Sequence, residues 1–150
     1  MNVITWLRSY LQELEDNIDG INRNRMVIDK SQLTKYLNDH QSTQNFILIG
    51  VVPDLSGKGE SADSFQLKNT TQLMVLERTT YSEHNYEQFY EIFERVYDTI
   101  EEMVKKMLAD SLTGCAQMRM LNTQSIQIIP VWNESSCNGW KILFNFDMSL

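Results

Sequence analysis

The stretch NYEQFYEIFERVYDTIEEMVKKMLAD carries Tyr86, Phe89, Tyr90, Phe93, Val96, Tyr97, Ile100, Met103, Val104, Met107 and Leu108 at steps of three and four. That spacing stacks them along one stripe of an amphipathic helix beginning near Glu83. Glu83, Glu87 and Glu91 lie early in it and Lys105 and Lys106 late, as the helix dipole favours. At 1.5 Å per residue such a helix runs about 40 Å, long for a chain of 150 residues. Its apolar stripe needs a partner of similar length, and the aromatic share of the stripe points to a sheet.

The rest of the chain supplies one. NFILIGVVP, residues 45–53, is continuously apolar and β-branched, as in a strand buried on both faces and ended by Pro53. LKNTTQLMVLERTT is β-rich in its middle, so the two read as a hairpin with a long connection. The chain closes with TQSIQIIPVW, NESSCNG and WKILFNFDMSL, where Asn138-Gly139 is a strong reversal signal. Trp140, Ile142, Phe144 and Phe146 share one face of the last strand, and Lys141, Leu143, Asn145 and Asp147 the other. Pro130 places the preceding strand at an edge or in a bulge, and Trp132 and Trp140, flanking the last turn, read as a cross-strand pair or as hairpin packing.

Ahead of these, Val3, Trp6, Leu7, Tyr10, Leu11, Leu14 and Ile18 form a helical stripe stopped by Gly20. A short second helix follows Ser31 as its N-cap, with Leu33, Tyr36 and Leu37 as contacts. Between them RMVID reads equally as a brief strand or an extended connector. The expected fold is one α+β domain over residues 1–150. Residues 1–44 form a helical N-terminal part, and residues 45–150 a β-β-α-β-β core. The sheet is mainly antiparallel and four-stranded, with the helices packed on one face.

The chemistry is sparse. GVVPDLSGKGESADSFQ looks superficially like a phosphate loop, but Gly50 lies seven residues before Gly57 and Lys58 is followed by Gly59. A Walker loop needs Gly, four residues, then Gly-Lys-Ser/Thr opening a helix; this segment enters a strand and reads as a hairpin tip. His84 and Glu87 stand one turn apart on a solvated face, and His40 is alone, short of the three or four ligands a zinc site requires. Cys115 and Cys137 are the only cysteines and read as reduced thiols of a cytosolic protein. Cys115 follows Gly114 without a His or Asn tied to it by any local signature. No catalytic, cofactor-binding or metal-ligating residue is expected, and the chain reads as a non-enzyme. An enzyme reading would require a deep pocket holding Cys115 or perturbed carboxylates. A net charge of −7 disfavours nucleic acid, with Arg23 and Arg25 the only candidate basic patch. The N-terminus reads as part of the fold and no apolar run is long enough to span a membrane.

From Asn45 onward the order of elements resembles the tail-terminator and neck-completion proteins of tailed phages and contractile injection systems. The likeness rests on NFILIGVVP and TTQLMVLERT as a first strand pair, NYEQFYEIFERVYDTIEEM as the covering helix, and IQIIPVWNESSCNGWKILFNFDM as a closing hairpin whose last strand opens with Gly139-Trp140. It implies a non-enzymatic subunit that closes into a ring and meets other tail or assembly proteins, in the cytoplasm or within a phage-like particle. Ring closure needs heterologous contacts, which sheet edges and outer faces supply. Candidate interface residues are Ile47, Ile49, Val51, Lys141, Leu143, Asn145 and Asp147, with Leu55, Lys58 and Glu60 on a partner-docking loop. The alternative reading is a small cytosolic adaptor or chaperone that holds a peptide in a helix groove or along a sheet edge.

Overall fold

The computed structural model describes residues 2–149. Its elements are helix α1 (Val3–Asn17), strand β1 (Ile21–Val27), helix α2 (Lys30–Asp39), strands β2 (Phe46–Lys58) and β3 (Gln66–Arg78), helix α3 (Tyr86–Thr113), a short helix α4 (Ala116–Arg119), and strands β4 (Leu121–Glu134) and β5 (Cys137–Met148). The five strands form one sheet in the order β1-β2-β3-β5-β4. The class is α+β.

The sheet differs from the expected four antiparallel strands because the ambiguous RMVID segment belongs to a true strand. β1 pairs parallel with β2, from Ile21 opposite Phe46 to Val27 opposite Val51, while the other three pairings are antiparallel. Gly20 makes this route open. Its φ of +94° turns the chain out of α1 directly into β1, and its carbonyl accepts from the Phe46 amide at 3.1 Å. With β1 on one side and β3 on the other, Phe46–Gly50 are buried on both faces, as their continuous apolar character requires.

Helices cover both faces of the sheet rather than one. Trp6, Leu7, Leu11 and Leu14 of α1 and Ile92, Val96, Ile100 and Met103 of α3 pack on Leu48, Leu73, Val75, Ile142, Phe144 and Phe146. On the opposite face Leu33 and Leu37 of α2 close over Val27, Ile47, Ile49, Met74, Leu76 and Cys137. Alternation along β2 explains the split: Leu48 faces one layer, and Ile47 and Ile49 the other. α2 is capped by Asp29 rather than Ser31. The Asp29 carboxylate accepts from the Gln32 amide at 3.0 Å, and Ser31, inside the helix, donates to it at 2.9 Å.

Pro53 does not end β2. The strand continues to Lys58 past a register shift between Val51 and Asp54, and β3 begins at Gln66, so the connection is only residues 59–65. A proline at an irregularity needs no ladder donor, which lets the strand pass. Pro130 lies on β4, an edge of the sheet. The last reversal falls at Ser135 and Ser136, φ 49° and 62°, with Glu134 opposite Cys137; Asn138 and Gly139 lie inside β5. Two residues with positive φ form the tight hairpin connection that matches strand twist.

His40 closes α2 and is fully buried. Its Nε2 donates to the Asn45 carbonyl at 2.7 Å, leaving Nδ1 bare and without a partner. The bond holds Asn45 at φ 62°, an uncommon conformation for a residue with a Cβ. Burial lowers the pKa of this imidazole below its ordinary 6.5, against the Asn45 bond, and Arg23 and Arg78 add to the lowering. The unfolded chain therefore takes up the proton first as the pH falls past 6.5, and the folded state loses stability below that value; above it the contribution is intact. Wild-type melting temperature should fall between about pH 7 and about pH 5.5 by more than that of His40→Gln, which keeps an N–H donor but cannot titrate. Equal falls would remove His40 from the account.

Candidate functional site

α3 opens with a reciprocal cap. The Asn85 side chain accepts from the Gln88 amide at 3.0 Å, and the Gln88 side chain accepts from the Asn85 amide at 2.8 Å. That fixes the helix start at Tyr86, beside the β4–β5 hairpin. The apolar stripe of α3 is wider than the part of it that the sheet buries, Ile92, Val96, Ile100, Met103 and Met107, and its other margin lies beside the β4–β5 hairpin. Tyr86, Tyr90 and Tyr97 are 81, 59 and 42% exposed, and Trp132, rising from β4, is 56% exposed. The sequence reading counts all three tyrosines with the core; they stand outside it.

These side chains border a cleft made of three adjoining hollows that share their walls. Its middle is an open hollow of about 390 Å³ lined by Tyr86, Phe89, Tyr90, Phe93, Pro130, Trp132 and Trp140. Toward the start of the helix it widens between Tyr81, His84, Asn85 and Trp132, and toward the middle of the helix it meets Glu94, Tyr97 and Asp98. Trp132 stands edge-on to Phe89 at 5.2 Å and to Tyr81 at 5.6 Å, and stacks with Phe93 at 6.1 Å. Trp140 meets Phe93 and Tyr97 edge-on at 5.9 and 5.5 Å. Of the two readings of the tryptophans, the cross-strand pair does not hold, since Trp140 lies opposite Pro130, and both rings instead touch the same phenylalanine beside the hairpin.

Polar bonds hold this apolar surface in place. The Trp140 indole donates to the Phe93 carbonyl at 2.9 Å, fixing the β5 ring against the helix. The buried Asn138 side chain donates to the Thr79 hydroxyl at 3.0 Å and accepts from the Asn133 amide at 2.7 Å. It also bonds the Tyr81 hydroxyl at 3.0 Å. Burial raises the Tyr81 pKa, partly offset by the Asn138 bond, so the phenol stays protonated. Asn138 thus ties the β4–β5 turn to the segment that leads into α3. His84 stacks on Phe89 at 5.7 Å and its Nδ1 donates to the Thr80 carbonyl at 2.7 Å, so its ring is part of the wall.

The residues singled out from sequence lie elsewhere. Ile47 and Ile49 are fully buried under α2 and offer no surface to a partner. Val51, Lys141, Leu143, Asn145 and Asp147 are half-buried on the part of that sheet face which α2 leaves open. There Thr70 donates to Asn145 at 3.0 Å, and Lys58 pairs with Asp147 at 2.8 Å. Leu55 and Lys58 belong to β2 itself, and only Glu60 sits in the turn. Leu55, Lys58 and Glu60 are exposed. Val51 and Lys141, with Asp29, Met74 and Glu134, also line a hollow beside the start of α2.

Cys115 is exposed ahead of α4, whereas Cys137 is buried and its thiol is pushed up to about 11 by that burial. Among the described residues no three of His, Cys, Asp and Glu are grouped to hold a metal ion, and no helix is long and apolar enough to cross a membrane. No family model, curated protein or solved structure matches the chain.

Proposed function

We propose that the protein is a protein-binding module whose docking surface is the aromatic cleft between α3 and the β4–β5 hairpin. The observation that carries this is the run of Tyr86, Tyr90, Tyr97 and Trp132, all more than two-fifths exposed and all bordering one cleft. Scattered exposed apolar residues are ordinary, but a contiguous aromatic surface on a folded chain calls for a partner. Tyrosine and tryptophan are also the side chains that anchor interfaces, since each buries a large area at little entropic cost. The cleft is open along its length, which suits an extended segment or a helix edge better than an enclosed small molecule.

The test is selection of displayed random peptides on the intact protein and on Tyr86→Ser/Trp132→Ser. Both positions are largely exposed, so the variant should keep its fold, as circular dichroism would show. Peptides enriched on the wild type should bind the variant more weakly by about 2 kcal/mol or more. Failure to enrich, or equal binding to the variant, would remove the cleft from the function.

A second reading is the ring subunit that the phage tail resemblance implies. What supports it is that the sheet is open, with β1 and β4 as edge strands along which neighbouring subunits could pair. On that reading light scattering gives a defined ring-sized mass that Tyr86→Ser/Trp132→Ser abolishes. On the first, the mass is that of one 17.6 kDa chain.

A further inference from the structure

The cleft has a charged end. Where it reaches Tyr90, Phe93, Tyr97 and Trp140, its remaining walls are Glu94 and Asp98, around a depression of about 590 Å³. Neither carboxylate enters an ion pair or a side-chain hydrogen bond among the described residues. The cations of α3 are used elsewhere. Arg95 grips Glu77 through two bonds at 2.7 and 3.1 Å, Lys106 binds Glu13 and Asp110, and Lys105 lies near Glu101 and Glu102. The helix therefore leaves two free negative charges beside four aromatic rings.

A positive group is attracted to the negative face of an aromatic ring, and most strongly to indole. Nearby carboxylates add to that attraction, and neither feature favours a neutral or anionic guest. The Trp140 ring is held by its bond to Phe93, so the wall is formed before any guest arrives. The same Tyr90, Phe93 and Trp140 continue into the apolar middle of the cleft. We propose that this end receives the cationic side chain, arginine or lysine, of a peptide segment whose neighbouring apolar residues fill the cleft. The assignment rests on the cleft being a docking surface.

The test uses the intact protein, isotopically labelled so that its three tryptophan indole N–H signals are followed by NMR. Butylguanidinium chloride, the arginine side chain on its own, is titrated at constant ionic strength against butylurea, its neutral isostere. The Trp140 signal should shift saturably with butylguanidinium and at least about tenfold more weakly with butylurea. Glu94→Gln/Asp98→Asn, both at exposed positions, should weaken butylguanidinium binding about tenfold with no change in melting temperature. Equal responses to the two probes, no saturable shift, or unchanged binding in the double variant would each overturn the proposal. A parallel titration with p-cresol, read at Trp132, separates the two ideas. A p-cresol response without a cation response leaves the docking cleft standing and removes the cation site. A cation response without a p-cresol response does the reverse.

Discussion

Gly139→Ala should cost about 3 kcal/mol or more of folding stability, out of the roughly 5–15 kcal/mol that holds a domain together. Gly139 sits near the start of β5, between Leu76 of β3 and Val131 of β4. A Cβ built there runs into the Val75 carbonyl oxygen, and it also comes within 3.1 Å of the Val75 carbonyl carbon and of a Val96 methyl. Two of these three neighbours are backbone in the adjacent central strand, which cannot rotate away. The third is a fully buried side chain of the helix above. Relief would mean parting β3 from β5 or lifting α3 off the sheet. Denaturant unfolding would show a lower midpoint at an unchanged slope. Gly57→Ala is the comparison: its Cβ would meet only the Phe65 ring, at 3.0 Å, which lies at an exposed hairpin tip and can swing aside. That change should stay within about 0.5 kcal/mol. A Gly139→Ala midpoint no lower than that of Gly57→Ala would mean that the close strand approach is not needed.

The same residue shows where sequence reasoning stops. Asn-Gly is the strongest short reversal signal, and Asn138-Gly139 stands near the right place, yet the chain turns at Ser135-Ser136. Both residues of the dipeptide serve tertiary needs instead: Asn138 as a buried hub for Thr79, Asn133 and Tyr81, Gly139 as room for a neighbouring backbone. Local composition cannot distinguish a glycine needed for a turn from one needed for a close approach. Periodicity is more telling where one stripe meets one partner: the α1 stripe and the alternation of β5 stand as read, while the apolar run read over 45–53 is buried only over Phe46–Gly50. β1 is ambiguous in the sequence because INRNRMV has few apolar residues, and its parallel partners lie 24 or 25 residues away. Four of its seven positions on this edge are polar.

The aromatic cleft was hidden for a related reason. A helical stripe announces which residues share a side but not how much of that side the sheet covers. On α3, Val96, Ile100, Met103 and Met107 are buried against the sheet, while Tyr86, Tyr90 and Tyr97 on the other margin of the stripe stay exposed beside the β4–β5 hairpin and Leu108 is 40% exposed. Width was the available signal. At 3.6 residues per turn the full stripe, from Met103 at one margin to Tyr90 at the other, spans about 140°, more than the 100° or so that one packed face needs.

Ile47→Asp should unfold the protein or bring it close to unfolding, whereas Leu143→Asp should leave it folded. Both residues were read from sequence as candidate interface, and both face the side of the sheet away from α1 and α3. The difference is α2. Ile47 is fully buried among Val27, Leu37, Ile49 and Leu76, while Leu143 is half-exposed beyond the reach of that helix, beside Thr70 and Gln72. Losing the buried isoleucine forfeits about 2–3 kcal/mol of apolar transfer. A carboxylate in its place must either shed its water or keep its proton amid apolar neighbours, and Arg23, the β1 residue opposite, is already bonded to the Asp39 carbonyl and the Gln44 side chain, so this adds several kcal/mol more. The sum, about 5 kcal/mol or above, approaches the whole stability of such a domain. At Leu143 the new carboxylate keeps water on one side, and a loss of about 1 kcal/mol is expected. Circular dichroism melts of the two variants decide the matter. A folded Ile47→Asp would mean that α2 does not cover the sheet in solution, and would return Ile47 and Ile49 to the surfaces on which a partner could dock.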